Sequence, residues 1–545
     1  MHKVGKCWTA LILALAALGL LRTSAGAQDS QKDPPTLSSQ ILKLEREGRY
    51  VEAIPLAERS VEQAGQIYGQ DSLEFASALS RLARLQHWQG RYADAAMSNR
   101  RVIEIREKEL GAEHWSTAIG LNDLAEVYRA QGLFGDALPL YQRAIRILEK
   151  KDDAQSLGVV LHNLGGLYWA QSRYTDAEPH LQRSLSVLES APEKDEDKIA
   201  TAVLALGTLY SSMGRFSDAE PLLKHAISMW EKQRGADNVI VSNAIHALAD
   251  LYVKQQRYAE AEPLAVRALA MAEQVLGADH PEVAKSMAQV GLINQYLGRL
   301  VEAEQLQLRV VQTFEKTLGP SHPAVGVAVN NLAELYRAQA RYADAERGYV
   351  KALAIAEAAF GPEHLDVGSA LNNLGDLYAS QARFGEAEPH LLRAVTIFEK
   401  ALGADHDMVG SAWGNLAVME LRRSHWQRAA EYLKRSTDLF KRRARLGLPT
   451  TLQVSNQSRA IDHSYFAALV RTTYRYALEQ REANAIHASE MFEAAQWSSA
   501  SRAAASLALM ASRSAMGDAR LNEVVRERQD LLSEWQRLDG ERNTY

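Results

Sequence analysis

Five histidines stand in the same local setting, Gly-x-x-His, at His114, His280, His322, His364 and His406. Imidazoles bind metals and carry protons, so their spacing is the first test of chemistry in this chain. A metal needs its ligands about 2 Å from one ion, whereas equivalent positions in successive helical repeats are separated by a helix pair, with axes roughly 8–10 Å apart. The five histidines therefore cannot converge on one ion. The reading left to them is structural, a loop side chain capping the helix that follows.

A second series is polar and helical. Asn122, Glu126 and Arg129 fall at i, i+4 and i+7, and Asn330, Glu334 and Arg337 repeat the pattern, so each set lies on one helix face. At 100° per residue this stripe is nearly opposite Leu332 and Tyr336, which places it on an exposed side. Asn163, Asn331, Asn372, Asn373 and Asn415 occur at or next to the same position. An asparagine offers a donor pair and an acceptor on a short stem, matching the N–H and C=O of an extended peptide. These residues form the candidate peptide-binding face. The alternative is a solvated face carrying i, i+4 ion pairs; asparagine is a mediocre helix former, which weighs against it. Tyr128, Tyr168, Tyr210, Tyr252, Tyr336 and Tyr378 share the register of the apolar stripe and are expected in the core.

Other chemistry finds no residues. The sequence has no G-x-x-x-x-G-K-[ST] loop, H-E-x-x-H, G-x-S-x-G or C-x-x-C, and its one cysteine is Cys7. No catalytic residue, cofactor or metal is expected. With 62 Lys+Arg against 67 Asp+Glu the net charge is −5, both signs are mixed, and no basic stripe speaks for nucleic acid.

The elements behind these residues follow from a long period. Tyr50, Tyr92, Phe134, Tyr174, Phe216, Tyr258, Leu300, Tyr342, Phe384 and Trp426 are spaced by 42 residues, with one interval of 40. Each is followed three residues later by an alanine: Ala53, Ala95, Ala137, Ala177, Ala219, Ala261, Ala303, Ala345, Ala387 and Ala429. Such a period means stacked units, none able to bury its apolar face alone. In the unit from Gly319 to Gly361, Pro323 opens helix A, with Val325, Ala328, Val329, Leu332, Leu335 and Tyr336 on one stripe. A short turn at Ala340-Arg341 leads to helix B, with Ala345, Tyr349, Ala352, Leu353 and Ala356 on its packed face. Gly361 ends it. The alanine is expected where two helices cross, its bare methyl letting the backbones approach. Lys150 to Asp153 shorten one loop, and Asn294 with Leu300 predict softer packing in the seventh unit.

The segments LAELYRAQARYADAE, from Leu332 to Glu346, and LNNLGDLYASQARFGEAEPHLLRAVTIFEKALGADH, from Leu371 to His406, resemble tetratricopeptide repeats of the long, 42-residue type found in kinesin light chains and many bacterial proteins. The resemblance covers roughly Leu37 to Leu446. It implies an all-α fold, a right-handed superhelical solenoid of antiparallel helix pairs, whose concave groove is lined by helix A and binds a peptide or protein segment. About ten repeats are expected over residues 28–446.

The two ends read differently. Lys3 and Lys6, the apolar run Trp8 to Leu21 and Ala25-Gly26-Ala27 form an export signal over residues 1–27. Its 14-residue run is shorter than the roughly 20 needed to span a bilayer. Cleavage is expected to leave a periplasmic or secreted protein with no membrane span, no thiol and a charge of −8, since Lys3, Lys6 and Arg22 leave with the signal. Residues 447–545 form a C-terminal helical segment, read as helices over Ile461 to Glu479, Asn484 to Ser512 and Asp518 to Leu538, and are expected to cap the solenoid. Phe492 to Arg513 and Val525 to Asp539 also resemble the helical region that precedes CHAT domains in bacterial proteins. That likeness implies the regulatory portion of a caspase-like peptidase whose catalytic domain is absent from this chain. The main expectation is a non-enzymatic, exported scaffold that holds a peptide or protein segment.

Overall fold

The structure, a computed structural model, describes residues 36–151, 153–235, 238–445, 456–480 and 489–498. The expected export signal, most of the segment resembling a CHAT linker, most of the helix expected over Asn484 to Ser512 and all of that expected over Asp518 to Leu538 lie outside the described residues. Two compact units divide the chain, Met1–Ala370 and Leu371–Tyr545.

Consecutive helix pairs build an all-α solenoid. The A helices are α1 (Leu37–Arg46), α3 (Leu73–Trp88), α5 (Trp115–Ala130), α7 (Ala154–Ala170), α9 (Glu196–Ser212), α11 (Val239–Lys254), α13 (Pro281–Tyr296), α15 (Pro323–Ala338), α17 (Leu365–Ser380) and α19 (Asp407–Arg422). The B helices are α2 (Tyr50–Tyr68), α4 (Tyr92–Leu110), α6 (Phe134–Lys151), α8 (Tyr174–Ser190), α10 (Phe216–Arg234), α12 (Tyr258–Leu276), α14 (Leu300–Leu318), α16 (Tyr342–Phe360), α18 (Phe384–Leu402) and α20 (Trp426–Arg445). A further helix, α21 (Asn456–Gln480), packs on α20. Every periodic aromatic or leucine is the first residue of its B helix.

The ten periodic alanines are all 0 % exposed. A methyl there is what the backbone spacing permits: the Ala177 carbonyl lies 3.5 Å from where a Cβ on Gly165 would stand, and the Ala387 carbonyl 3.3 Å from the same point on Gly375. The A helices answer with a small-residue series of their own, Ala83, Ala125, Gly165, Gly207, Ala249, Gly291, Ala333, Gly375 and Ala417, all buried. In the first compact unit the core runs as a buried cluster from Trp169 to Ile293, with a second from Ala272 to Ile355, so the two divide in the seventh repeat. There Asn294, in place of a tyrosine, is buried and accepts a hydrogen bond from Arg299 at 3.4 Å. In the second unit Leu391, Phe398, Leu416, Leu433 and Phe440 form the core.

The turn from A to B demands a left-handed residue, which closes the helix end by sending the Arg341 N–H to the Tyr336 carbonyl at 2.9 Å. Gly48, Gly90, Gly132, Gly214 and Gly298 supply it in five repeats. Ser172, Gln256, Ala340, Ala382 and Ser424 do so in the others, with φ from 53° to 61°. The 40-residue interval removes a loop, so that α6 ends at Lys151 and Asp153 caps α7, its carboxylate accepting from the Ser156 N–H at 3.0 Å.

Candidate peptide-binding face

The polar stripe on helix A is not solvated. Asn122, Glu126, Asn163, Asn331, Glu334, Asn372 and Asn373 are all buried, Asn122 at 1 % and Glu334 at 4 % exposure. Arg129, Asn330, Arg337 and Asn415 are half-buried. The exposed face expected opposite Leu332 and Tyr336 is therefore corrected. In the first unit an A helix packs between its own B helix and the B helix of the preceding repeat, and α5, α7, α9, α11 and α13 also touch one another in series, so far more than one stripe is covered. In α9 every residue from Ile199 to Ser212 is buried.

Burial forces these groups to find partners inside the fold. In α5 the Glu126 carboxylate takes two hydrogen bonds from Arg129, at 3.0 and 2.6 Å, and one from the Tyr141 hydroxyl of α6. Repeat eight builds the same triad: Arg337 Nε donates to Glu334 at 3.1 Å, a second guanidinium N–H to its other oxygen, and the Tyr349 hydroxyl of α16 at 2.6 Å. Burial alone would raise the Glu334 carboxyl, but Arg337 and the Tyr349 hydroxyl outweigh it and hold it down to about 2. Glu126 is lowered in the same way, against its own burial, while burial and the Glu126 charge push the Tyr141 hydroxyl well above its ordinary value. The tyrosine was the missing member of the site, and its signal is visible in the repeats. The position of Tyr141 and Tyr349 is leucine at Leu181, Leu223, Leu391 and Leu433, where no glutamate faces it from helix A.

The asparagines bond along the stack. Asn163 donates to Asn122 at 2.9 Å, and within the second unit Asn415 donates to Asn372 at 2.8 Å. Between α11 and α13 a glutamine does the same work, Gln289 donating to the His246 carbonyl at 2.9 Å. Among the described residues Asn331 has neither amide atom paired, and the preceding repeat carries Ala288 where an asparagine stands in others. A cavity of about 20 Å³, large enough for one water, lies between Arg129, His162, Asn163 and Trp169.

The recurring histidines cap the A helices. Nδ1 of His114 accepts the Ser116 N–H at 3.2 Å, and those of His280, His322, His364 and His406 accept the N–H two residues on at 3.1 Å. The tyrosines of helix A are buried or half-buried as their register predicts. An arginine at the start of helix B covers the open ring face: Arg215 lies 3.9 Å from the Tyr210 centroid, Arg257 4.0 Å from Tyr252, and Arg341 and Arg383 4.1 Å from Tyr336 and Tyr378.

The tetratricopeptide repeat matches at residues 44–108, 74–150, 156–232, 241–316, 287–358, 325–400 and 366–442. Among solved structures, BtubC (BKLC) from P. vanneervenii is 23 % identical, with a TM-score of 0.37 over 42 % of this chain and 92 % of its own. The nearly identical repeats of a kinesin light chain-type protein from Podosopora anserina are 23 % identical, with a TM-score of 0.32 over 36 % and 94 %. A Rap protein complexed with Competence and Sporulation Factor is 16 % identical, with a TM-score of 0.43 over 75 % and 97 %. No curated protein matches the chain.

Proposed function

Because this chain belongs to the tetratricopeptide repeat family, we propose that it is an exported scaffold, without chemistry of its own, that holds an extended peptide or protein segment against its A helices. Repeats of this family are protein-interaction modules, and the chain is one such scaffold. The observation that carries the finer reading is the pair of matched triads. Glu126 with Tyr141, and Glu334 with Tyr349, hold the partly exposed Arg129 and Arg337 guanidinium groups in one orientation. A fixed guanidinium loses little freedom on meeting a carbonyl or carboxylate, so preorganisation favours binding. Asn330, half-buried one turn from Glu334, adds an amide on the same helix. Export rests on the basic start, apolar run and A-x-A site of residues 1–27; among the described residues no helix is long and apolar enough to cross a membrane.

The test is an array of random unstructured peptides probed with the protein and with Asn330→Ala/Arg337→Lys, which keeps the charge opposite Glu334 but removes the two-pronged contact. Selective peptide binding that falls in the variant, with an unchanged melting curve, is expected. Equal binding by both proteins, or none by the parent, contradicts the reading. For export, the mature protein recovered outside the cytoplasm should begin at Gln28.

A further inference from the structure

A cap does not need a histidine. Ser72, Asp153, Asp195 and Asn238 fill the same capping position in other repeats and accept the same kind of backbone N–H. Three of the histidines use their second ring nitrogen elsewhere. Nε2 of His322 lies 2.9 Å from the carbonyl of Trp88, 234 residues earlier in the chain. The rings of His280 and His364 face the carbonyls of Arg46 and Ala130 and lie against Gly48 and Gly132. Arg46, Trp88 and Ala130 are the last residues of α1, α3 and α5, so a histidine is set against a helix end three times in register, wholly within the first unit.

The opposing surface is shaped for it. Next to each carbonyl stands a left-handed glycine, Gly48, Gly90 or Gly132. A Cβ on Gly48 would lie 2.8 Å from Pro281 Cδ, on Gly90 2.7 Å from Pro323 Cδ, and on Gly132 3.1 Å from the His364 ring. Rings add to the contact: Tyr92 stacks on Phe360 at 5.5 Å and Phe360 on His364 at 4.0 Å. Tyr50 packs against the cluster of Val283 and Val310. Repeats one to three are thereby fastened to the loops that open repeats seven to nine.

We propose that His280, His322 and His364 form a latch that closes one turn of the solenoid onto the next, and that opening it admits an extended segment to the A helices inside. The capping nitrogen accepts an N–H and the other faces a carbonyl, so the ring must be neutral with its proton on Nε2. In this state it holds a helix end and a carbonyl more than five repeats away at the same time. The admission step rests on the groove reading proposed above; the latch itself does not.

Histidine to asparagine separates the two jobs, since Asn238 shows that asparagine caps a helix while its side chain is too short to reach across. Spin labels at Arg91→Cys and Ser321→Cys, both exposed and flanking Gly90 and His322, report the distance in a Cys7→Ser background. The parent should give one short distance, and His280→Asn/His322→Asn/His364→Asn should lose it while keeping its helical circular dichroism. An unchanged distance overturns the latch. If the triple variant loses helicity, the three single variants decide: broadened distributions support the latch, and three unchanged ones overturn it. A dye-labelled peptide selected on the array should associate faster with the opened variant, and equal association rates overturn the gating role. Should no peptide bind, the groove reading fails while the distance result still decides the latch.

Discussion

At the scale of the residue, the fold buries polar groups and then satisfies most of them. Removing the Tyr349 hydroxyl takes one hydrogen bond from the buried Glu334 carboxylate, so Tyr349→Phe should lower stability by about 1–2 kcal/mol, read from denaturant unfolding. Asn331 is the converse case. Its amide is 3 % exposed and without a partner among the described residues. Asn331→Leu removes that unsatisfied group at similar volume and should raise stability by about 1 kcal/mol, while lowering peptide binding if the amide is kept for a ligand. A variant that is both less stable and equally good at binding contradicts this. The histidines set a pH dependence. Burial lowers His322 from 6.5 to about 4, and lowers His280 and His364 in the same direction. Facing them are Glu282 and Lys285 for His280, Lys285 and His87 for His322, and Asp366 for His364. A folded value below the unfolded one means that stabilisation is complete above about pH 6.5 and drains as pH falls toward 4. Urea midpoints should drop over that window, less steeply in the triple asparagine variant, with half-buried His87 and buried His162 keeping some of the slope.

At the scale of the element, what was legible in the sequence was the repeat and its punctuation. The start of each B helix, the alanine at each crossing and the closing glycine at Gly361, whose φ is +84°, all follow from spacing and residue type. The turn at Ala340-Arg341 was legible as a turn, but not its left-handed backbone, because alanine carries no mark of a positive φ. That strain is a handle. Ala340→Gly and Ala382→Gly each relieve a conformation costing about 1–2 kcal/mol against a smaller entropic loss, and should raise the melting temperature. A fall would mean that the turn is not left-handed. At the crossings the sign reverses: Ala219→Leu or Ala345→Val inserts bulk into a closed contact and should cost about 1–3 kcal/mol. The candidate face was expected in solvent and lies instead among packed helices. Helical periodicity tells on which side of an axis Glu334 lies. It does not tell how many helices flank that side, nor that Tyr349 reaches over from the next one.

At the scale of the molecule, sequence spacing reports neighbours within a repeat and between adjacent repeats, and loses contacts made across many. The capping role of His322 is local and was readable; its second bond, to a carbonyl 234 residues away, has no local signature. The same distance explains why Gly90 reads as an ordinary turn glycine although a side chain there would strike Pro323. The central claim is that a bound segment lies along the A helices of the first unit, beside the two arginine triads. Hydrogen–deuterium exchange with and without an array-selected peptide tests it most directly, since it locates protection helix by helix. The account predicts added protection in α5 and α15 around Arg129 and Arg337. Protection confined to the B helices, with α5 and α15 unchanged, would contradict it.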